Sequence, residues 1–343
     1  MKKLFPLALA VILVGCSSSD RVATKENAAI PAKATGIEGF SRLAVAGPIE
    51  QGNVTIYPVT STQPSQKEMD DMVTLDEAKR KNWVEITEQE DETVETLEVK
   101  NTGPQPILLM GGEILLGGKQ DRIVSKDTVV KPGETVKVPV YCVDQGRWTD
   151  GAEKFEPSGN YAPSKVRKAA VIDKDQNGVW SRVAAVNRSG GVPAESSGGS
   201  ESIKVTLDSK AVQARQADAN TVVESLRKQK NVVGIVVVVN GEIQGFEYFG
   251  SNKLFNKAVQ TVLKGAFTDS LVAGKATSSE KISVKDASAF VADCLKGENT
   301  YQGRSGDYAG FLTNGSISEG VTLGARAKIG EEKKLYRGSF FKK

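Results

Sequence analysis

Val232-Val-Gly-Ile-Val-Val-Val-Val-Asn-Gly-Glu-Ile-Gln-Gly-Phe-Glu-Tyr-Phe249 decides the fold. Asn240 and Gly241 both tolerate positive φ, as the two central positions of a type I′ turn require. Val232 to Val239 and Glu242 to Phe249 therefore read as the arms of a tight antiparallel hairpin. Ser251 can cap the helix that follows. In it Leu254, Phe255, Ala258, Val259, Val262, Leu263, Ala266 and Phe267 recur three and four apart, which makes one apolar face. Helices are also expected over Asp218 to Lys228 and from Val284 to Leu295, with a closing pair of strands between Gly320 and Phe341.

Toward the N-terminus the pattern is that of closely spaced strands. Leu43 to Ile49 and Val54 to Val59 flank the turn Glu50-Gln-Gly-Asn53. Trp83 to Thr87, Val94 to Lys100, Ile107 to Leu109, Ile114 to Leu116, Ile123 to Val130 and Val136 to Val143 follow, separated by Gly- and Pro-bearing turns. Thr74-Leu-Asp-Glu77 is a capping box that opens a short helix. The predicted class is α+β. Residues 37–148 form a β-rich antiparallel part, sandwich or barrel-like, joined by a loose segment (149–202) to a mixed part (203–343). Within the loose segment Gln176 to Val186 is read as a short helix and Asn187 to Ser200 as an exposed loop. The parts are expected to pack as one unit.

The first residues read as a secretion signal. Met1-Lys2-Lys3 is a positive start, and Leu4 to Val14 is an apolar run shorter than the roughly 20 residues a membrane span needs. It closes on Leu13-Val-Gly-Cys16, where cleavage before Cys16 would leave a cysteine to carry acyl chains such as palmitate. Each buried methylene contributes about 0.8 kcal/mol, so two or three chains hold a lasting anchor. The expectation is a lipoprotein of the cell envelope, with residues 16–36 as a flexible tether. Ser17 is not an aspartate retention signal, so in a cell with two membranes the outer one, facing the periplasm, is expected.

The 343 residues carry a net charge of +3, two units of which are Lys2 and Lys3, so the mature chain has no electrostatic footprint for nucleic acid. The chain contains no histidine. That excludes Ser-His-Asp triads, Cys-His dyads and HExxH zinc sites, and leaves acid–base work to carboxylates, lysines and tyrosines. With Cys16 taken by lipid, Cys142 and Cys294 could pair in an oxidising compartment or stay as buried thiols. Gly117-Gly-Lys119 is no phosphate loop: its leading glycine would fall at Glu113, and Gln120 stands where Ser or Thr is needed. Cys142 and Arg147 are one residue too close for a cysteine-phosphatase loop.

Polar residues gather in the glycine-rich part of the β region: Glu113, Lys119, Gln120, Asp121 and Arg122, then Asp144, Gln145, Arg147 and Trp148. Arginine forks suit carboxylate or phosphate, Trp148 offers a flat face, and Glu113 or Asp121 could take hydroxyls or a divalent metal ion. Alternatively, Asp121, Arg122 and Arg147 pair with each other and pin loops. Glu113 and Arg147 are expected to serve a ligand, Asp121 the sheet.

Gly111-Gly-Glu-Ile-Leu-Leu-Gly-Gly-Lys-Gln-Asp-Arg122 and Val138-Pro-Val-Tyr-Cys-Val-Asp-Gln-Gly-Arg-Trp148 resemble the signature of the ARPP domain family, associated with ADP-ribosylglycohydrolases and rhodanese-phosphatases. The hairpin with its helix and the closing strands fit as well, so the resemblance spans about residues 37–341. It implies a link to ADP-ribose or NAD metabolism. Family members often carry a histidine near the final strand, where this chain has Tyr336 and Arg337. The function expected is a binding module for a small anionic or nucleotide-like ligand at Gly111–Trp148. The alternatives are a hydrolase of such a compound using Glu113 or Asp121, and an envelope scaffold without a small-molecule site.

Overall fold

The computed structural model describes residues 28–29, 42–65, 67–89, 94–149, 154–190, 201–273, 281–305, 308–325 and 335–343. The signal segment and Cys16 lie outside the described residues, as do residues 191–200 of the expected loop. The class is α+β, and almost every strand pairing is antiparallel; Val73–Thr74 beside Ile107–Leu109 is parallel.

The expected hairpin is at the centre of the molecule. Val232–Val239 and Glu242–Phe249 pair antiparallel, and Asn240 and Gly241 adopt φ of 52° and 81°. A ten-stranded sheet grows from it. On one side come Val54–Ser61, Leu43–Val45 and Ala28–Ala29, with Ile49–Gln51 alongside; on the other come Leu335–Lys342, Ser318–Ala325, Tyr308–Asn314 and Glu298–Ser305. The valine run is unbroken because both faces of this sheet are covered. Ile235, Val237 and Val239 meet the long helix Asn252–Val272, whereas Val236 and Val238 meet helix Val284–Lys296.

A six-stranded sheet (Phe155–Tyr161, Glu113–Gly117, Arg122–Val124, Thr135–Cys142, Thr96–Asn101, Val84–Glu88) packs on a three-stranded one (Thr128–Val130, Ile107–Leu109, Val73–Thr74). Leu97, Val99, Val138 and Val140 face Val73, Ile107, Leu109 and Val130 across that core. This is the predicted sandwich. The first strands, however, belong to the ten-stranded sheet rather than to it, and Ala28–Ala29, inside the expected tether, pairs with Ala44–Val45.

Several expectations are corrected. Ile123 to Val130 is two strands in two sheets, because the polar Ser125-Lys126-Asp127 turns the chain: Asp127 Oδ1 accepts from Gly111 N at 2.7 Å, and Ser125 N donates to Pro139 O at 3.0 Å. Leu43 to Ile49 is likewise split. The segment read as loose holds strand Phe155–Tyr161 and helix Ser164–Lys168 with a π turn at Ala169–Asp173; the expected helix from Gln176 is present and runs on to Ser189, three residues into the expected loop. Pro157 and Gly159 hide the strand's alternation, and they are tolerated because it lies at a sheet edge and is bulged. Glu298–Ser305 and Tyr308–Asn314 extend the predicted closing pair. Thr74 caps helix Leu75–Arg80 through Glu77 N, but the Glu77 carboxylate pairs with Lys81 at 2.7 Å instead of completing the box. Cys142 and Cys294 are free, buried thiols, not a disulfide. Cys294 sits on helix Val284–Lys296 against the ten-stranded sheet, whereas Cys142 ends a strand of the six-stranded one.

Candidate functional site

Most of the residues singled out in the sequence close on one another. Asp121, buried at the start of a strand, accepts from Gly117 N and Arg147 Nη2, both at 2.8 Å, and from Ser202 Oγ at 3.3 Å. Arg147 also bonds the fully buried Asp144. Burial pushes the Asp121 carboxyl up, while the Gly117 amide and Arg147 oppose the shift. Arg122 is completely buried; its guanidinium reaches the Gln120 carbonyl, lies 3.5 Å from Glu88 and stacks over the Phe155 ring at 5.6 Å. Lys119 lies over the exposed Trp148 ring at 5.3 Å, and Gln145 is an exposed residue of a two-residue strand. Here the forks serve the loops. Arg147→Ala should therefore lower stability by about 1–3 kcal/mol, because two buried carboxylates each lose a charged donor. Urea unfolding checks this, and an unchanged midpoint would show the network to be loose in solution.

Glu113 is elsewhere. Its Oε2 accepts from Met110 N at 2.7 Å in the core, and burial, reinforced by Asp76, holds its carboxyl well above the usual range. Among the described residues no three Asp, Glu or Cys side chains converge as a metal site would require.

Beyond Glu113 lies a buried ionic cluster that the sequence reading did not assemble. Glu247 receives Arg167 at 2.6 Å, Ser339 Oγ at 2.9 Å and Arg337. Arg337 also donates to Tyr161 Oη and to Tyr248 O, each at 3.2 Å, and stacks over Phe249 at 4.4 Å. Arg167 lies over Tyr161 at 4.2 Å. Gly112, at φ 109°, is needed here: a Cβ would stand 2.4 Å from the Arg167 stem. Burial opposes ionisation of Glu247, but Arg337 and Arg167 outweigh it and hold the carboxyl below its ordinary range. Burial pushes the Tyr161 hydroxyl up to about 12. The available signal was a charge inside each of two apolar strands, Phe246-Glu247-Tyr248 and Tyr336-Arg337.

Asp127 joins this cluster to a cavity of about 500 Å³. The walls are Pro139 and Tyr141 of the six-stranded sheet, Val171 and Ile172 of the π turn, and Phe311, Leu312, Val321 and Leu323 of the far end of the ten-stranded sheet. Lys126, Lys174, Gln302 and Thr322 add polar groups. Asp127 is 4% exposed, and its Oδ2 has no hydrogen-bond partner. Burial pushes its carboxyl up, and Arg337 and the Gly111 amide pull it down. Among the described residues Lys126 makes no ion pair; desolvation and then Lys174 lower its pKa. Lys174, at φ 52° where the π turn ends, donates to Gln302 at 2.8 Å. None of the eight residues singled out in the sequence lines this cavity.

The family model for the ARG and Rhodanese-Phosphatase-superfamily-associated Protein domain, ARPP-1, matches residues 42–338. The chain belongs to this family. No curated protein and no solved structure matches it. In this ARPP domain the Gly111–Arg122 signature has a structural reading: Gly111 caps Asp127, Gly112 admits Arg167, and Asp121 and Arg122 tie the adjoining loops.

Proposed function

We propose that the chain is a binding module for a small amphipathic anion, held in the cavity beside Asp127. The observation that carries this is a half-buried ammonium, Lys126, with no anionic partner among the described residues, set beside Lys174 on a cavity with mostly apolar walls. A buried charge without a counter-charge is unfavourable, and a ligand anion would relieve it. About 500 Å³ falls within the roughly 300–1,000 Å³ typical of small-molecule sites, whose usual character is apolar walls with a few placed polar groups. Nucleotides and ADP-ribose-type compounds are amphipathic anions of this kind. A thermal-shift screen against nucleotides, ADP-ribose and aryl carboxylates tests the proposal, because a ligand at 100 times its Kd stabilises by about 2.7 kcal/mol. Shifts with such anions that Lys126→Ala weakens about tenfold or more support it. No shift with any of them favours the scaffold reading.

A hydrolase acting on the same class of compound is the second reading, and Asp127 favours it. A buried carboxyl pushed upward inside a cavity is a candidate general base. Product release from a bound anion, abolished in Asp127→Asn, would support catalysis over binding alone.

The location proposed is the envelope, by lipid on Cys16. Among the described residues no helix is long and apolar enough to cross a membrane. Cys16→Ser should abolish incorporation of a fatty-acid probe in cells and leave an uncut precursor. Undiminished label on that variant would contradict the anchor.

A further inference from the structure

We infer that Lys126 is a carbonyl-capturing nucleophile, and that the cavity takes an aldehyde or ketone bearing an anionic group, which Lys126 Nζ holds as an imine. The inference rests on the cavity being a ligand site and adds the chemistry by which its amine meets the ligand.

Lys126 reaches the cavity over a pair of glycines. Gly303 and Gly310 face each other across strands Glu298–Ser305 and Tyr308–Asn314. A Cβ on Gly310 would stand 3.3 Å from Lys126 Cε, and one on Gly303 3.6 Å from Nζ. Gly303 also adopts φ 109°, which residues with a Cβ rarely take. The notch admits the lysine stem and leaves its amine on the cavity wall. Among the described residues Nζ has no hydrogen-bond or ion-pair partner.

A carboxylate partner would hold that amine protonated and unreactive. The surroundings act in the other direction. The other titratable residues lining the cavity are Asp127, Tyr141 and Lys174. Asp127 engages the Gly111 amide at 2.7 Å, and burial holds the Tyr141 hydroxyl above its ordinary range and neutral. Desolvation, and then the charge of Lys174, favour the uncharged Lys126 amine. A lysine desolvated in an apolar pocket beside a second cation is activated as a nucleophile. Capture needs no further reagent. The Nζ lone pair adds to the carbonyl carbon, and the C=O π pair moves to oxygen. That oxygen leaves as water with both Nζ hydrogens, and a C=N bond remains. Lys174 donates to the neutral Gln302 and so keeps its charge for the anionic group of the ligand.

Reductive trapping on the wild-type protein separates this inference from the reading beneath it. 4-Formylbenzoate and sodium cyanoborohydride are added at neutral pH, and the modified lysines are mapped by peptide mass. Lys126 should be modified about tenfold or more faster than the exposed Lys137, because a bound carbonyl is held beside the amine. 4-Methylbenzoate, an anion of similar shape without a carbonyl, should slow that modification. Acetylation pulses across pH should place the half-rise of Lys126 reactivity below the ordinary lysine value of 10.5. Calorimetric binding of 4-methylbenzoate, with Lys126 trapped no faster than Lys137, would overturn the inference and leave the cavity as a site. If neither benzoate nor adenosine 5′-monophosphate binds up to millimolar concentration, and Lys126 is trapped no faster than Lys137, the cavity reading falls and the inference with it. A half-rise at 10.5 or above, or fast trapping that 4-methylbenzoate does not slow, would also overturn it.

Discussion

Glu247→Ala is expected to destabilise the domain by about 3–5 kcal/mol at neutral pH. Arg167 and Arg337 both direct guanidinium nitrogens at this carboxylate, and all three side chains are buried. Removal of the carboxylate leaves two neighbouring cations in the core without the group that both of them pair with. The cluster as a whole need not stabilise the fold, since its charges were desolvated to form it. The triple variant Arg167→Met, Glu247→Leu, Arg337→Met should consequently recover much of the loss, because it removes the stranded charges as well. Urea unfolding of wild type and the two variants measures this. A Glu247→Ala midpoint indistinguishable from wild type would mean that the pairs do not persist in solution.

The pH dependence follows from the sign of the Glu247 shift. Its folded carboxyl titrates below the unfolded one. The stability it contributes is therefore present above the ordinary glutamate pKa and is lost as pH falls through the lower, folded value.

Glu113→Gln is expected to act in the opposite sense and raise stability above neutral pH, by about 0.5–2 kcal/mol, the usual gain from one well-chosen relief of strain. Burial, with Asp76 adding to it, lifts the folded Glu113 carboxyl well above its ordinary value of 4.5. Between those two values the folded chain holds a proton that the unfolded chain has released, so stability falls as pH rises through the window. Glutamine keeps an oxygen for the Met110 amide and cannot ionise. The advantage should be greatest on the alkaline side and vanish well below the ordinary value of 4.5, where both states of the wild-type carboxyl are protonated. A thermal melt series across pH reads the difference. A glutamine variant that is less stable at every pH would show that Glu113 serves as a charge, as it would in a ligand site.

How much of this was legible depends on where each residue's partners lie. The hairpin was readable because Asn240-Gly241 dictates its own backbone, and the long helix because its apolar period is local. The Ser125–Asp127 turn was not, although its polar triplet interrupts an apolar run, because the reason for it is Gly111, distant in sequence. Strand Phe155–Tyr161 escaped because Pro157 and Gly159 break the alternation by which strands are recognised. The signature Gly111–Trp148 pointed to the right region but not to the right atoms. Arg147 is taken up by Asp121 and Asp144, Arg122 by Glu88 and the Gln120 carbonyl, and Glu113 by the Met110 amide; the cavity draws Lys126 and Asp127 from just beyond Arg122, Lys174 from the segment read as loose, and its far wall from strands near the C-terminus. Glu247 and Arg337 stood out as charges in apolar strands, but only the sheet register, which pairs those strands, brings them together.

The central claim is that a ligand sits between Lys126 and Asp127 and not on the Lys119–Trp148 face. Calorimetric titration of one anion from the thermal-shift screen into wild type, Lys126→Ala, Leu312→Trp and Trp148→Ala tests it most directly. Lys126→Ala removes the unpaired cation, and Leu312→Trp fills the cavity without altering charge. Both should lose affinity about tenfold or more, whereas Trp148→Ala should bind as wild type does. Loss of binding in Trp148→Ala, with Lys126→Ala and Leu312→Trp unaffected, would contradict the account and return the site to the signature loops.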